Sequence, residues 1–184
     1  ISDRPEELDS ATHIILPGVG AFADGMKNLV EKGWVAYIKK AASQDIPILG
    51  ICLGMQLLAL KGYECGETEG LGLVPGEVKR LEPDRGDTRI PHVGWNEIWK
   101  KRDSLLFAGI PDGSDFYFVH SYHFMPVYQE SIVAETPYCR GFVSAVCNGN
   151  VFGVQFHPEK SSKMGFMLIK NFLSINLRNG VDIC

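Results

Sequence analysis

Apolar positions in this chain fall into short runs of two kinds. Thr12–Leu16, Ile46–Ile51, Leu73–Leu81, Phe116–Val119, Ile132–Glu135, Phe142–Val146 and Val151–Phe156 are dense and strand-like. Met26, Leu29 and Val30, followed by Val35 and Ile38, carry helical spacing interrupted near Gly33. Leu53–Leu60 reads as a further helix, and Met164, Met167, Leu168, Phe172 and Ile175 form one apolar stripe of a last helix, which fits core packing. Early strands alternate with helices and later ones do not. The pattern predicts an α/β domain with an open, mixed, mainly parallel central sheet flanked by helices, extended by antiparallel strands. Repeats, low-complexity stretches and linkers are not seen; Glu82–Thr88 reads as a charged surface loop, so residues 1–184 are expected to form one domain.

One junction between a strand and a helix carries chemistry. In Gly50-Ile51-Cys52-Leu53-Gly54-Met55-Gln56 a cysteine sits between glycines two residues away on either side. This is the outline of a nucleophile elbow, where the turn is too tight for a side chain at either flank and the nucleophile points outward. A helix start at Leu53 would favour thiolate and offer backbone N–H groups to an oxyanion. A buried cysteine in an ordinary turn has the same local pattern, so a base is needed to decide.

Val151–Phe156 ends in His157-Pro158-Glu159. Residues two apart on an extended segment share a face, and Pro158 favours extended geometry at His157. Glu159 would then hold one ring nitrogen and aim the other at a thiol, a triad with sulfur as nucleophile.

Composition narrows the alternatives. With 184 residues, 45% hydrophobic and 22% charged, the chain suffices for one sizeable core. A net charge of -4 gives no electrostatic support for a nucleic-acid or anionic-membrane partner. No apolar run approaches the roughly 20 residues of a membrane helix. The five cysteines, Cys52, Cys65, Cys139, Cys147 and Cys184, are widely spaced, with no zinc-type cluster, so a reducing cytoplasmic setting is expected and no metal or cofactor is called for.

The two separated motifs around Cys52 and His157 together resemble the class I (triad) glutamine amidotransferases. Pro17-Gly18-Val19-Gly20-Ala21-Phe22, Pro91-His92-Val93-Gly94-Trp95-Asn96, Tyr117-Phe118-Val119-His120-Ser121-Tyr122 and Lys160-Ser161 are similar to the glutaminase subunits of imidazole glycerol phosphate synthase within that family. The resemblance runs from Ile1 to about Ile175. It implies a flavodoxin-like sheet, L-glutamine as substrate, and Cys52, His157 and Glu159 as the catalytic residues. It further implies that backbone N–H groups of Leu53 and of Gly18-Val19-Gly20 hold the oxyanion, while Gln56, His120, Ser121 and Tyr122 line bound glutamine. The glycines around Val19 would let a peptide N–H swing into or out of the site, so a partner could gate activity.

The implied partner is a (βα)8-barrel cyclase subunit that receives ammonia through a channel, with Trp95, Asn96 and Lys160 at the contact. Members of the family begin with a strand, a helix and a second strand ahead of the Pro-Gly-Val-Gly turn. This sequence opens within that second strand, so a βαβ unit is expected to be missing from it. Other readings stay open: a paralogous glutaminase subunit supplying ammonia for amidination of a surface-polysaccharide sugar, a cysteine hydrolase or peptidase with the same elbow, or a binding module retaining the fold.

Overall fold

The computed structural model describes residues 2–84 and 89–176. Ile1, residues 85–88 of the expected charged loop and Cys184 lie outside the described residues. The strands are β1 Ile14–Gly18, β2 Ile48–Cys52, β3 Lys61–Gly62, β4 Thr68–Glu69, β5 Gly76–Arg80, β6 His92–Lys100, β7 Ser114–His120, β8 Tyr122–Pro126, β9 Ile132–Thr136, β10 Phe142–Asn148 and β11 Val151–Val154. The helices are α1 Phe22–Glu31, α2 Trp34–Ser43, α3 Leu53–Leu57 and α4 Ser162–Leu173.

The strands form one mixed sheet in the order β1-β2-β11-β10-β8-β5-β3-β4, with β9 joining β10 to β6 and β6 pairing with β7. Its parallel part is narrower than expected: among the described residues it comprises β1, β2 and β11 plus the short β3–β5 pairing. The remaining pairings are antiparallel. All five residues of β2 are buried, as its uninterrupted apolar run requires of a strand covered on both faces. Ile48 packs with α1, α2 and α3 on one side; Leu49 and Ile51 join Phe152, Phe156, Leu168 and Phe172 on the other. Full burial of Leu168 and Phe172 on α4 contributes about 1.5–3 kcal/mol each, which fixes that helix as packing. Gly33, at φ 73°, breaks the helical run into α1 and α2 where the sequence indicates.

Four strands escaped the sequence reading, the two-residue β3 and β4 and the longer β6 and β8. β6 alternates buried His92 and Ile98 with exposed Val93, Trp95 and Trp99, and its hydrogen bonds come from β7 and β9. β8 follows β7 after a single residue, Ser121, so His120, Ser121 and Tyr122 span a strand junction. α3 is also shorter than the helix expected to Leu60.

Candidate active site

The parallel centre sets the geometry. Register pairs Gly18 with Cys52 across β1–β2 and Ile51 with Val154 across β2–β11. The chain ends that follow, with Val19, Leu53 and Gln155, therefore meet at one edge of the sheet. Cys52 adopts φ 54°, ψ -111°, a strained conformation for a residue with a Cβ. Both flanking glycines are sterically required. A Cβ at Gly50 would stand 2.7 Å from the Gly54 carbonyl, and one at Gly54 would stand 1.8 Å from the Leu16 oxygen.

Cys52 is buried, and its Sγ donates to the Val119 carbonyl at 3.8 Å while Gln155 Nε2 donates to Sγ at 3.8 Å. Burial pushes the thiol up to about 11, reinforced by the Glu159 charge and opposed by the Leu53 backbone N–H, Gln155 and Lys160. This corrects the expectation of a thiolate favoured by the helix start. α3 is only five residues long, and desolvation of the anion outweighs its N-terminus. At neutral pH the sulfur carries its proton.

His157 Nδ1 lies 2.8 Å from Glu159 Oε1. The meeting does not come from strand alternation, because β11 ends at Val154 and Glu159 lies in a 3₁₀ turn, Pro158–Lys160. His157 is extended at φ -102°, ψ 96°, as a residue before proline prefers. A backbone clamp holds it: its N–H donates to the Tyr117 carbonyl, and the buried Ser161 hydroxyl accepts from Tyr117 N–H and donates to the His157 carbonyl. The remaining ring nitrogen, Nε2, is buried without a partner. Cys52 and His157 are not hydrogen-bonded to each other.

Above Cys52 opens a cavity of about 280 Å³, lined by Val19, Gly20, Leu53, Gln56, Glu64, Pro91, Val119, His120, Ser121 and Tyr122 as well as the cysteine. It thus gathers Val19, Gly20, Leu53, Gln56, His120, Ser121 and Tyr122, all expected at the site, and Gly18 stands level with Cys52 just below. That volume suits a small molecule.

A family profile described as glutamine amidotransferase class-I matches residues 2–175. The chain belongs to the class I glutamine amidotransferases. This amidotransferase is 51% identical over 172 residues, covering 94% of the chain and 80% of the relative, to imidazole glycerol phosphate synthase subunit HisH of Moorella thermoacetica. It is 46% identical to the subunit of the same name from Aquifex aeolicus, over 94% of the chain and 82% of the relative. Among solved structures, one described as a glutamine amidotransferase superposes with TM-score 0.72 at 20% identity, covering 94% and 82% of the two chains. The glutaminase domain of Trypanosoma brucei CTPS with bound acivicin gives 0.64 at 19%, covering 94% and 75%. These structures speak for the fold.

Two residues that sequence reasoning passed over, Glu64 and Gln155, lie at the cavity and beside the thiol. Among the described residues Glu64 is the one acidic side chain on the cavity wall; its Oε2 accepts from the Phe22 N–H at the start of α1, which fixes the carboxylate. Its signal in the sequence is slight, a glutamate in a loop twelve residues beyond the cysteine. Gln155, which the sequence presents only as part of the segment leading to His157, has its Nε2 3.8 Å from the Cys52 sulfur, and Gln56 donates its amide nitrogen to the Tyr122 carbonyl and to Gln155 Oε1.

Residues expected at a partner surface divide. Trp95 is 53% exposed and meets Tyr117 edge to face, with Lys160 Nζ 5.6 Å from the same tyrosine ring. Val93 and Val119 continue this outward face, and Val19, 78% exposed, stands at the cavity mouth. Asn96, next along β6, turns to the other face, is half-buried, and approaches His92 Nε2 at 3.4 Å. Alternation along a strand separates it from Trp95.

Among the described residues no cluster of His, Cys, Asp and Glu could hold a metal, and no helix is long and apolar enough to cross a membrane.

Proposed function

We propose that this amidotransferase is the glutaminase subunit of an imidazole glycerol phosphate synthase, acting through Cys52, His157 and Glu159 and passing ammonia to a (βα)8-barrel cyclase subunit. The observation that carries the catalytic assignment is the pairing of a buried thiol on a strained elbow with an imidazole whose Nδ1 is held by Glu159 and whose Nε2 has no partner.

Glutamine enters with its α-ammonium toward Glu64, the fixed negative charge on the wall, and its amide over Cys52. Sγ turns from the Val119 carbonyl to His157 Nε2, gives up its proton there and attacks the amide carbon. The oxyanion is met by N–H groups of Leu53 and the Gly18-Val19-Gly20 turn. The imidazolium then donates its proton to the leaving nitrogen as the C–N bond breaks, releasing ammonia and leaving a γ-glutamyl thioester. Deprotonated by His157, a water attacks the thioester, and glutamate leaves with the thiol restored. The raised thiol pKa makes His157 necessary, because a protonated sulfur is a weak nucleophile.

Exposed Val19 and Val119 on the cavity wall, with Val93, Trp95 and Lys160 continuing the outward face of β6 and β7, fit a partner seated over the site, which would capture ammonia before it escapes and trigger the Val19 peptide. Aromatic anchors are enriched in such surfaces.

Co-purification with a barrel cyclase, followed by glutamine-dependent product analysis, tests the reading. Glutamine-driven formation of imidazole glycerol phosphate, lost in Cys52→Ala but restored by added ammonium, is the expected result. Glutamine hydrolysis coupled only to amidination of a sugar would overturn the assignment of acceptor.

A further inference from the structure

His92 and His120 are both buried and face each other across the β6–β7 register. His92 Nδ1 lies 3.1 Å from His120 Nε2, and His120 Nδ1 lies 2.8 Å from the Tyr122 carbonyl oxygen. A carbonyl oxygen only accepts, so the His120 proton sits on Nδ1 and its Nε2 is an acceptor. His92 must then donate from Nδ1, which leaves its own Nε2 to accept. The group there is the Asn96 amide nitrogen; Asn96 Oδ1 is committed to the Glu97 N–H, so the nitrogen is turned inward as a donor. Burial pushes His92 down to about 4 and His120 down to about 3, so both rings are neutral at physiological pH.

Every bond in the series runs one way, from Asn96 through His92 and His120 to the Tyr122 oxygen. That oxygen also accepts from Gln56 Nε2, which in turn binds Gln155 Oε1, and Gln155 Nε2 reaches Cys52 Sγ. We propose that His92 is a positioning residue of the glutaminase: its Nδ1–H orients His120, and through the Tyr122 peptide and the Gln56–Gln155 amide pair it sets the Cys52 thiol. The inference rests on the catalytic reading of Cys52. Its outer end, Asn96, lies on the strand whose opposite face presents Trp95, so strand β6 links the exposed surface to the nucleophile.

The competing explanation is packing, because the His92 ring stacks on Tyr138 at 3.9 Å and on Phe118 at 4.9 Å. Paired variants separate the two. His92→Phe keeps an aromatic ring and removes the donor; His92→Asn places an amide nitrogen close to the Nδ1 position and removes the ring. With the full-length subunit bound to its partner, His92→Phe should lower kcat about tenfold with KM within about twofold, and His92→Asn should recover most of kcat despite a lower Tm. Asn96→Asp, at a half-buried site, presents an acceptor to Nε2 and should move the His92 proton to that nitrogen, visible in imidazole ¹⁵N spectra, with loss of kcat.

Unchanged kcat in His92→Phe, equal impairment in His92→Asn, or a wild-type His120 protonated on Nε2 at neutral pH would each overturn the relay. Failure of the wild-type complex to hydrolyse glutamine would instead strike the catalytic reading, and the tautomers would still decide whether the relay exists.

Discussion

Nδ1 of His157 and Oε1 of Glu159 are 2.8 Å apart, although the two residues leave the strand in a 3₁₀ turn and the carboxylate is half-exposed. The contact fixes the ring and directs Nε2 away from Glu159, into a buried space without a partner. Glu159→Ala should reduce kcat for glutamine by roughly tenfold to a hundredfold, and Glu159→Gln by less, because the amide oxygen still accepts from Nδ1. Steady-state kinetics of the two variants in the complex will show the order.

The protonated state of Cys52 has a measurable consequence. Burial pushes its thiol up to about 11, above the ordinary cysteine value, so iodoacetamide should modify Cys52 slowly at pH 7 and progressively faster as pH rises toward 11, while exposed Cys65 reacts readily. Glu159→Gln removes a negative charge that raises the thiol and should shift the Cys52 profile to lower pH. Peptide mass mapping across a pH series follows both cysteines at once.

Glu64 offers a test of how glutamine is held. Glu64→Gln preserves an acceptor for the Phe22 N–H but removes the charge from the cavity wall. KM for glutamine should rise about tenfold or more, with kcat changed far less and Tm close to that of the parent. A collapse of Tm instead would identify the carboxylate as mainly a cap for α1.

Ser161 is the clasp behind His157. Ser161→Ala leaves the Tyr117 N–H and one bond to the His157 carbonyl unmet, at a cost of about 1–3 kcal/mol in urea unfolding. Enlargement is no remedy, because this site is already tight: a Cβ at Gly165 would stand 1.9 Å from the Pro158 oxygen and 2.9 Å from Ser161 Cβ. Activity should fall with stability, since the clasp fixes the backbone that carries the imidazole.

The glycines near Cys52 should separate by cause. Gly54→Ala puts a methyl group 1.8 Å from the Leu16 oxygen and should abolish folding, whereas Gly20→Ala meets nothing within 4 Å and is opposed only by its φ of 104°. Gly20→Ala should therefore fold, at a cost of about 1–3 kcal/mol, and lose partner-induced activation because the peptide can no longer turn freely. Thermal melts and glutaminase rates with and without partner distinguish these outcomes.

By itself the sequence determined the elbow, the mixed α/β class, the break at Gly33 and the extended approach to His157. These depend on local rules: glycine where no Cβ fits, apolar runs where a strand is covered on both faces, extended backbone before proline. Tertiary structure alone decided the rest, because β6 and β8 draw their hydrogen bonds from distant strands and their polar, aromatic sequences carry no period strong enough to reveal them. It decided that Cys52 is a thiol, since burial is the sum of neighbours from β1, β7 and β11, and a helix of five residues cannot oppose it. It also placed Glu64 and Gln155 beside the cysteine and turned Asn96 inward from Trp95, for proximity across a sheet has no signature in the order of residues along the chain.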